Sequence, residues 1–459
     1  MKSLKFFLLA VAFGIGATSC NKLLEYPPSG AILAEDALNS TDDAQRLLNS
    51  CYDVMANVFD GSYQNMSELL SDNLARPTSN TDYQRVFDRT TDFFTPTPNG
   101  VYADFYYTIY RCNSLLANFD LIPDLSEADR NRMEAEARFI RAWCHWHVCK
   151  LWAQPYGYSS SNSHLGIIIR DEPSNDPLPR NTVAEVYDFI VNDLSFAYNN
   201  LPASNGIYAN RYSAAGALAM VNFQMNKFQE TISFVDEIVN SGAFAMSDTV
   251  DRFPSIEDHT ALGNPEAIFQ IVSFDNDVRT DELIGNYNYG GVILPALTAS
   301  DDFNLLMQNA GQDDRALWIS QLNSSHLINR FQEKRVFNVP LIHLTELRLL
   351  RAEALASLNQ DLSTAIDDIN AVRTRAYGGF NELGSGATAS EIIAAAREEY
   401  RKETLGEGKW LDQLKRRGAF GENITIRNAP WDCPGSVLQF PNSEFNSSLF
   451  VGNPEAGCN

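Results

Sequence analysis

Residues 344–372, LTELRLLRAEALASLNQDLSTAIDDINAV, read as two amphipathic helices joined by a short polar turn. Leu344, Leu347, Leu350, Ala354 and Leu358 mark one apolar face. After Asn359-Gln360-Asp361 the helical spacing returns at Leu362, Ala365, Ile366, Ile369 and Val372. A turn this short makes the two helices antiparallel neighbours.

A second stretch repeats the pattern. Tyr212, Ala215, Leu218, Ala219 and Met225 are followed by a turn at Asn226-Lys227, then by Phe228, Ile232, Val235 and Ile238. Small residues where helices must approach closely suggest a tetratricopeptide-like unit. About 100 residues of different character separate the two hairpins, so a regular solenoid is not expected. A long helix is predicted from the capping-box pattern Ser126-Glu127-Ala128-Asp129 towards Trp152. Its C-terminal half is apolar on more than one side, which predicts a helix sandwiched between others. Further helices are predicted near 41–58, 101–118, 182–200 and 390–405, the third capped by Asn181 or Thr182.

The fold class that follows is mostly α: helical hairpins (about 34–152, 182–241 and 340–416) packed against loop-rich segments (about 71–100, 153–180, 245–335 and 419–459) with few short strands. One strand is predicted at 267–274. Long ordered loops on a helical frame usually bind something, so the site is sought there.

The first residues address the chain. Lys2 and Lys5, an apolar run over 6–15 and Ala17-Thr18-Ser19-Cys20 read as a lipoprotein-type secretory signal (1–19) whose cleavage leaves Cys20 first, ahead of one composite domain over 20–459. Ordinary secretion with a coincidental cysteine is the alternative. The run is far short of the roughly 20 apolar residues a membrane-spanning helix needs. Acyl chains on Cys20 would each contribute about 0.8 kcal/mol per buried methylene, and two or more anchor stably.

Formal net charge is -23 and becomes -25 without the leader's two lysines. Such a surface repels phosphate backbones and argues against nucleic acid as a partner. Of the later cysteines, Cys144 and Cys149 lie about 140° apart on one predicted helix and should not bond to each other. Cys433 and Cys458 bracket the loop-like tail and are the pair to test. Connectivity is otherwise open.

The chain resembles the SusD/RagB family of outer-membrane nutrient-binding lipoproteins of Bacteroidetes. The resemblance runs through 20–30 (CNKLLEYPPSG), 136–152 (EARFIRAWCHWHVCKLW), 179–201, 211–244 and 340–377, which contains LLRAEALA. It implies tetratricopeptide-like helix pairs against a loop-rich remainder. It also implies a lipid-anchored, outward-facing location on the outer membrane and a partnership with a SusC-like TonB-dependent transporter. The implied ligand is an oligosaccharide or, as in some members, a peptide, and no cofactor is implied. The chain departs from the family pattern at Glu407-Gly408-Lys409-Trp410-Leu411-Asp412-Gln413-Leu414, where Gln413 takes an aspartate position, and its closing proline motif is reduced to Gln439-Phe440-Pro441.

Catalytic signatures are missing from the sequence. There is no Gly-rich phosphate loop, Gly-x-Ser-x-Gly elbow or His-Glu-x-x-His pattern. In Cys144-His145-Trp146-His147-Val148-Cys149 the ligand-type side chains fall on different sides of a helix, so a packed core helix is expected and no metal. A glycoside hydrolase needs only two carboxylates about 5 to 9.5 Å apart, but nothing among 58 acids selects a pair. The chain is therefore expected to bind and not to transform its ligand.

Sugar binding asks for flat aromatic faces flanked by amides and carboxylates. The candidates are Asp72, Asn73, Tyr83 and Phe87 in the first loop and Asn286, Tyr287, Asn288 and Tyr289 in the third. Asn and Tyr alternate between Gly285 and Gly290-Gly291, which either presents the rings or forms a turn whose tyrosines fold back on the body.

Overall fold

The computed structural model describes residues 38–458 apart from 256–263, 275–278, 309–310, 333, 335 and 379–380. Cys20 and the predicted leader lie outside the described residues. The chain begins with helices α1 (Thr41–Val58), α2 (Ser62–Leu70), α3 (Thr81–Phe87), α4 (Pro96–Asn118), α5 (Glu127–Trp152), α6 (Val183–Asn200), α7 (Arg211–Gln224) and α8 (Phe228–Asn240). A middle segment follows with strand β1 (Ala267–Ile271), helices α9 (Asp281–Tyr287) and α10 (Asp301–Gln308), hairpin β2 (Ile319–Leu322) and β3 (Ser325–Ile328), and strand β4 (Val339–His343). Helices α11 (Leu344–Ser357), α12 (Leu362–Tyr377), α13 (Ala389–Glu403) and α14 (Trp410–Ala419) lead to the two-residue strands β5 (Thr425–Ile426) and β6 (Ala429–Pro430).

The predicted hairpins are α7–α8 and α11–α12, and the predicted caps hold. Ser126 accepts from the Asp129 N–H, and Thr182 forms a reciprocal box with Glu185. Residues 139–149 of α5 are all buried, because α1, α4 and α6 pack around it. Helix α2 has no sequence signal. Tyr63 through Leu70 are buried all round, including Gln64, Asn65, Ser67 and Glu68, so no polar face marks a helical period.

Helices pack in succession, α5 on α6, α6 on α7, α7 on α8, and then α8 directly on α11. The two hairpins are thus contiguous in space although the middle segment divides them in sequence. The reason is the antiparallel pairing of β1 with β4, which pairs Ala267 with His343 and Ile271 with Val339 and closes the segment at its base. Strand β4 passes straight into α11, whose Leu344 N–H donates to the Glu266 carbonyl at 2.9 Å. Helix α7 lies so close that a Cβ on Gly216 would stand 2.7 Å from Ile342 Cγ2.

Buried ions fasten the middle segment to the helices. Arg315, fully buried, pairs with Asp313 at 2.8 Å and reaches Glu399 and Glu403 on α13 at 2.6 and 2.9 Å. Arg252 and Arg330 both hold Glu407 at 2.9 Å. Burial alone would raise the Glu403 carboxyl, but Arg375, Arg315, Arg252 and Arg330 hold it at about 2. The tail after α14 is tied by the Cys433–Cys458 disulfide and covers the end of α5, where Trp152 Nε1 donates to the Gln439 carbonyl.

Candidate ligand-binding face

The two candidate loops, far apart in sequence, meet through backbone. Ala75 N–H donates to the Thr298 carbonyl at 2.9 Å, and Ser300 N–H donates to the Asn73 carbonyl at 2.8 Å. Thr78 Oγ1 adds a bond to the Pro295 carbonyl at 3.1 Å. Above this join sits α3, started by Asn80, whose side chain accepts from the Tyr83 N–H. The Tyr83 hydroxyl donates to Glu282 Oε2 at 3.1 Å, and Asn286 Nδ2 donates to the same oxygen at 2.8 Å. On its other side α3 is held to the start of α4 by Asp82, which accepts from Thr97 N–H and Oγ1 at 2.9 Å, and to the intervening turn by the Arg85–Asp92 pair at 2.8 Å.

Several candidate side chains turn towards the frame. Asp72 accepts from Trp410 Nε1 at 2.8 Å and from Arg401 at 3.1 Å. Asn73 is fully buried, donating to Glu68 at 2.9 Å and accepting from Arg401 Nε at 2.8 Å. Tyr83 is also fully buried. The polar atoms of Asp72, Asn73 and Tyr83 therefore bond the loops to each other and to the frame, while Asn286 braces Glu282 within α9. Tyr287 ends α9 and folds back on the body, buried with its ring 5.3 Å from that of Phe331. Of the two readings of the Asn-Tyr alternation, the second applies to this tyrosine, because α9 extends through 287 and turns its ring inward. Phe87 is half-buried, with the Arg427 guanidinium 3.9 Å above its ring.

Asn288 and Tyr289 are left at the edge, half-buried. Tyr289 is fixed by reciprocal bonds between its backbone and the Gln332 amide, at 3.0 and 3.3 Å. Beyond it Val292 and Ile293 form an exposed apolar tip. The rings most open to solvent in the first loop are ones the sequence reading passed over: Phe94 is 65% and Phe93 42% exposed, with Phe445 packed 5.7 Å from Phe93. Two consecutive phenylalanines between Asp92 and Thr95, with no core period, were the available signal.

Beneath the face, Glu68 accepts from Asn73 and from the Gly408 N–H at 3.0 Å. Burial raises its carboxyl to about 7, against the lowering effect of those two bonds. Gly408 has φ +69°, and a Cβ there would stand 2.7 Å from Gln64 Cα, so this approach requires glycine. Asp412 forms a buried pair with Lys150 at 2.5 Å.

His145 and His147 are committed to the core. Nδ1 of each faces the carbonyl four residues earlier, at 2.8 Å, and His145 Nε2 accepts from the Arg170 N–H. Among the described residues no group of three His, Cys, Asp or Glu side chains is placed to hold a metal ion. No helix among them is long and apolar enough to cross a membrane.

Comparison with known proteins gives consistent matches. Residues 33–223 match a family described as starch-binding and associating with the outer membrane, and residues 321–430 match the SusD family. SusD-like protein P2 of Formosa agariphila is 24% identical, with 94% of this chain and 96% of that protein covered. SusD-like protein P25 of the same organism is also 24% identical, but the match spans 57% of this chain and half of that protein's length. A SusD superfamily structure from Bacteroides vulgatus superposes with a TM-score of 0.79 at 19% identity, over 91% of this chain and 99% of the other. A SusD-like carbohydrate-binding protein from the same organism superposes with a TM-score of 0.71 at 18% identity, over 85% and 86%.

Proposed function

Because the chain belongs to the SusD/RagB family, we propose that it is a cell-surface lipoprotein, acylated on Cys20, that binds oligosaccharide and passes it unchanged to a SusC-like TonB-dependent transporter. The observation that carries the binding step is the exposed Phe93–Phe94 corner beside α3, joined through α3 to the loop that bears Asn288 and Tyr289. Flat apolar rings suit the apolar faces of pyranoses. The Arg76–Asp88 pair on the same loop, its donors and acceptors open to solvent, suits hydroxyls. In this reading Phe94, Asn288 and Tyr289 touch ligand, while Asp72, Asn73, Tyr83, Asn286 and Tyr287 set the shape of the loops from below and Phe87 stacks between. The description of the matched family and the name of the carbohydrate-binding relative support sugar as the ligand class.

The test is a panel of immobilised glycans with analysis of the supernatant for released saccharide. Retention without product is expected, and Phe94→Ala with Tyr289→Ala should weaken it about threefold to tenfold for each ring lost. Unchanged affinity in the double variant rejects this face, and a released product rejects the non-enzymatic reading. Capture from a proteolysed protein mixture but from no glycan would replace sugar by peptide. Labelled palmitate should enter the wild type and be lost in Cys20→Ala, and a tagged chain should co-purify with the transporter.

A further inference from the structure

The outward side of α4 forms the floor of a groove lined by residues other than those assigned to the face described above. Tyr102, Phe105, Ile109 and Cys112 turn inward and are buried. Tyr106, Tyr107 and Tyr110 lie along the other side and line a cleft of about 500 Å³. Tyr110 also lines a second hollow of about 530 Å³ that continues past Ser114 to Asn118. The two hollows adjoin at Tyr110, and together their linings run along α4 from Ala103 to Asn118, about 22 Å at 1.5 Å per residue.

The walls are built and braced. One wall is the 170–178 segment, whose carbonyls at Arg170 and Glu172 accept from buried Asn113 Nδ2 at 3.0 and 3.1 Å. Arg170 Nη1 ties the same segment by donating to the Ser174 and Asp176 carbonyls. The other wall is the turn at 443–447, anchored when Asn442 N–H donates to the Phe93 carbonyl at 3.0 Å. Tyr106 is fixed by donating to the Ile168 carbonyl at 2.8 Å. Tyr107 is held by Arg111, which donates to its hydroxyl at 2.7 Å and sits 4.5 Å above its ring, yet it remains 49% exposed.

We propose that this groove is a second carbohydrate site, taking an extended, neutral oligosaccharide along the tyrosine stripe. Tyrosine rings spaced along one helix face offer successive stacking surfaces, and Asn175, Ser443 and Asn446 supply amide and hydroxyl groups at the rim. Charge along the groove is balanced, with Arg170 across from Glu444 and Arg46 paired to Asp43 at 2.8 Å, which suits a ligand without net charge. The floor is a helix whose backbone is internally bonded, so it offers no strand edge to an extended peptide. The assignment of sugar as ligand class rests on the proposed function; the location of the site does not.

Hydrogen exchange on the full chain, with and without neutral oligosaccharides from the glycan panel, separates the two. Protection is expected over 103–118 and 443–447, and it should persist in Phe94→Ala. Tyr107→Ala, at an exposed position, and Asn175→Trp, which fills the cleft, should each lower affinity at least threefold. If glycans bind but protect only the 76–97 and 281–296 loops, with both groove variants unchanged, the groove is rejected and the proposed function stands. If no glycan binds and a peptide mixture protects the groove, the carbohydrate assignment is overturned in both places.

Discussion

The Tyr83 hydroxyl donates to the Glu282 carboxylate at 3.1 Å, across 199 residues of chain, and Asn65 Nδ2 donates back to that hydroxyl at 3.2 Å. This buried relay makes α3 and α9 a unit. Tyr83→Phe removes the hydroxyl and leaves Asn65 short of an acceptor, at a cost of about 1 to 3 kcal/mol. Faster amide exchange over 72–78 and 295–300 is expected with weaker glycan retention. Unchanged exchange would show that the backbone bonds of Asn73 and Ala75 hold the loops alone.

Glu68 should give stability a pH dependence of unusual sign for a carboxylate. Its folded-state value of about 7 lies above the ordinary 4.5, so the folded protein binds this proton more tightly than the unfolded chain does. The contribution is fully present below pH 4.5 and is lost as pH rises through 7, at up to about 1.4 kcal/mol per pH unit. Urea unfolding at pH 5 and pH 8 should show the wild type losing stability relative to Glu68→Gln between the two. A constant difference would mean the carboxyl is ionised throughout.

Arg315 answers three buried carboxylates, those of Asp313, Glu399 and Glu403. Arg315→Met keeps apolar bulk but strands these charges, and removing one partner of a buried network costs about 3 to 5 kcal/mol. The denaturation midpoint should fall sharply. A shift below about 1 kcal/mol would mean that Arg373, Arg375 and Lys402 nearby suffice to neutralise the cluster.

Gly216→Ala should destabilise despite the better helix propensity of alanine, worth about 1 kcal/mol. The new Cβ would stand 2.7 Å from the Cγ2 of buried Ile342, and overpacking of this kind costs about 1 to 3 kcal/mol. Pairing it with Ile342→Leu, which removes the Cγ2 methyl from Cβ and conserves side-chain volume, should recover part of the loss. Thermal unfolding of the single and double variants measures both.

The helical hairpins and their caps were legible because helix periodicity and capping are local. Leu347 and Leu350 face one way whatever surrounds them, and Ser126 needs only Asp129. The Cys433–Cys458 pair could be named as the one to test because both residues bracket the same irregular tail. Helix α2 was illegible for the opposite reason: burial on every side, with Glu68 and the Asn65 Nδ2 bonded to distant groups, erases the amphipathic pattern.

By itself, then, the sequence determined a mostly helical frame, its hairpin turns and the likeness to a nutrient-binding family. Only the tertiary structure decided that α8 meets α11, that the loops at 72 and 298 pair, that Tyr83 and Tyr287 are interior while Phe93 and Phe94 are not, and that the tyrosines of α4 line a groove. A ring's burial depends on what the rest of the chain brings against it, and those contacts are set by long-range pairing that no local spacing encodes.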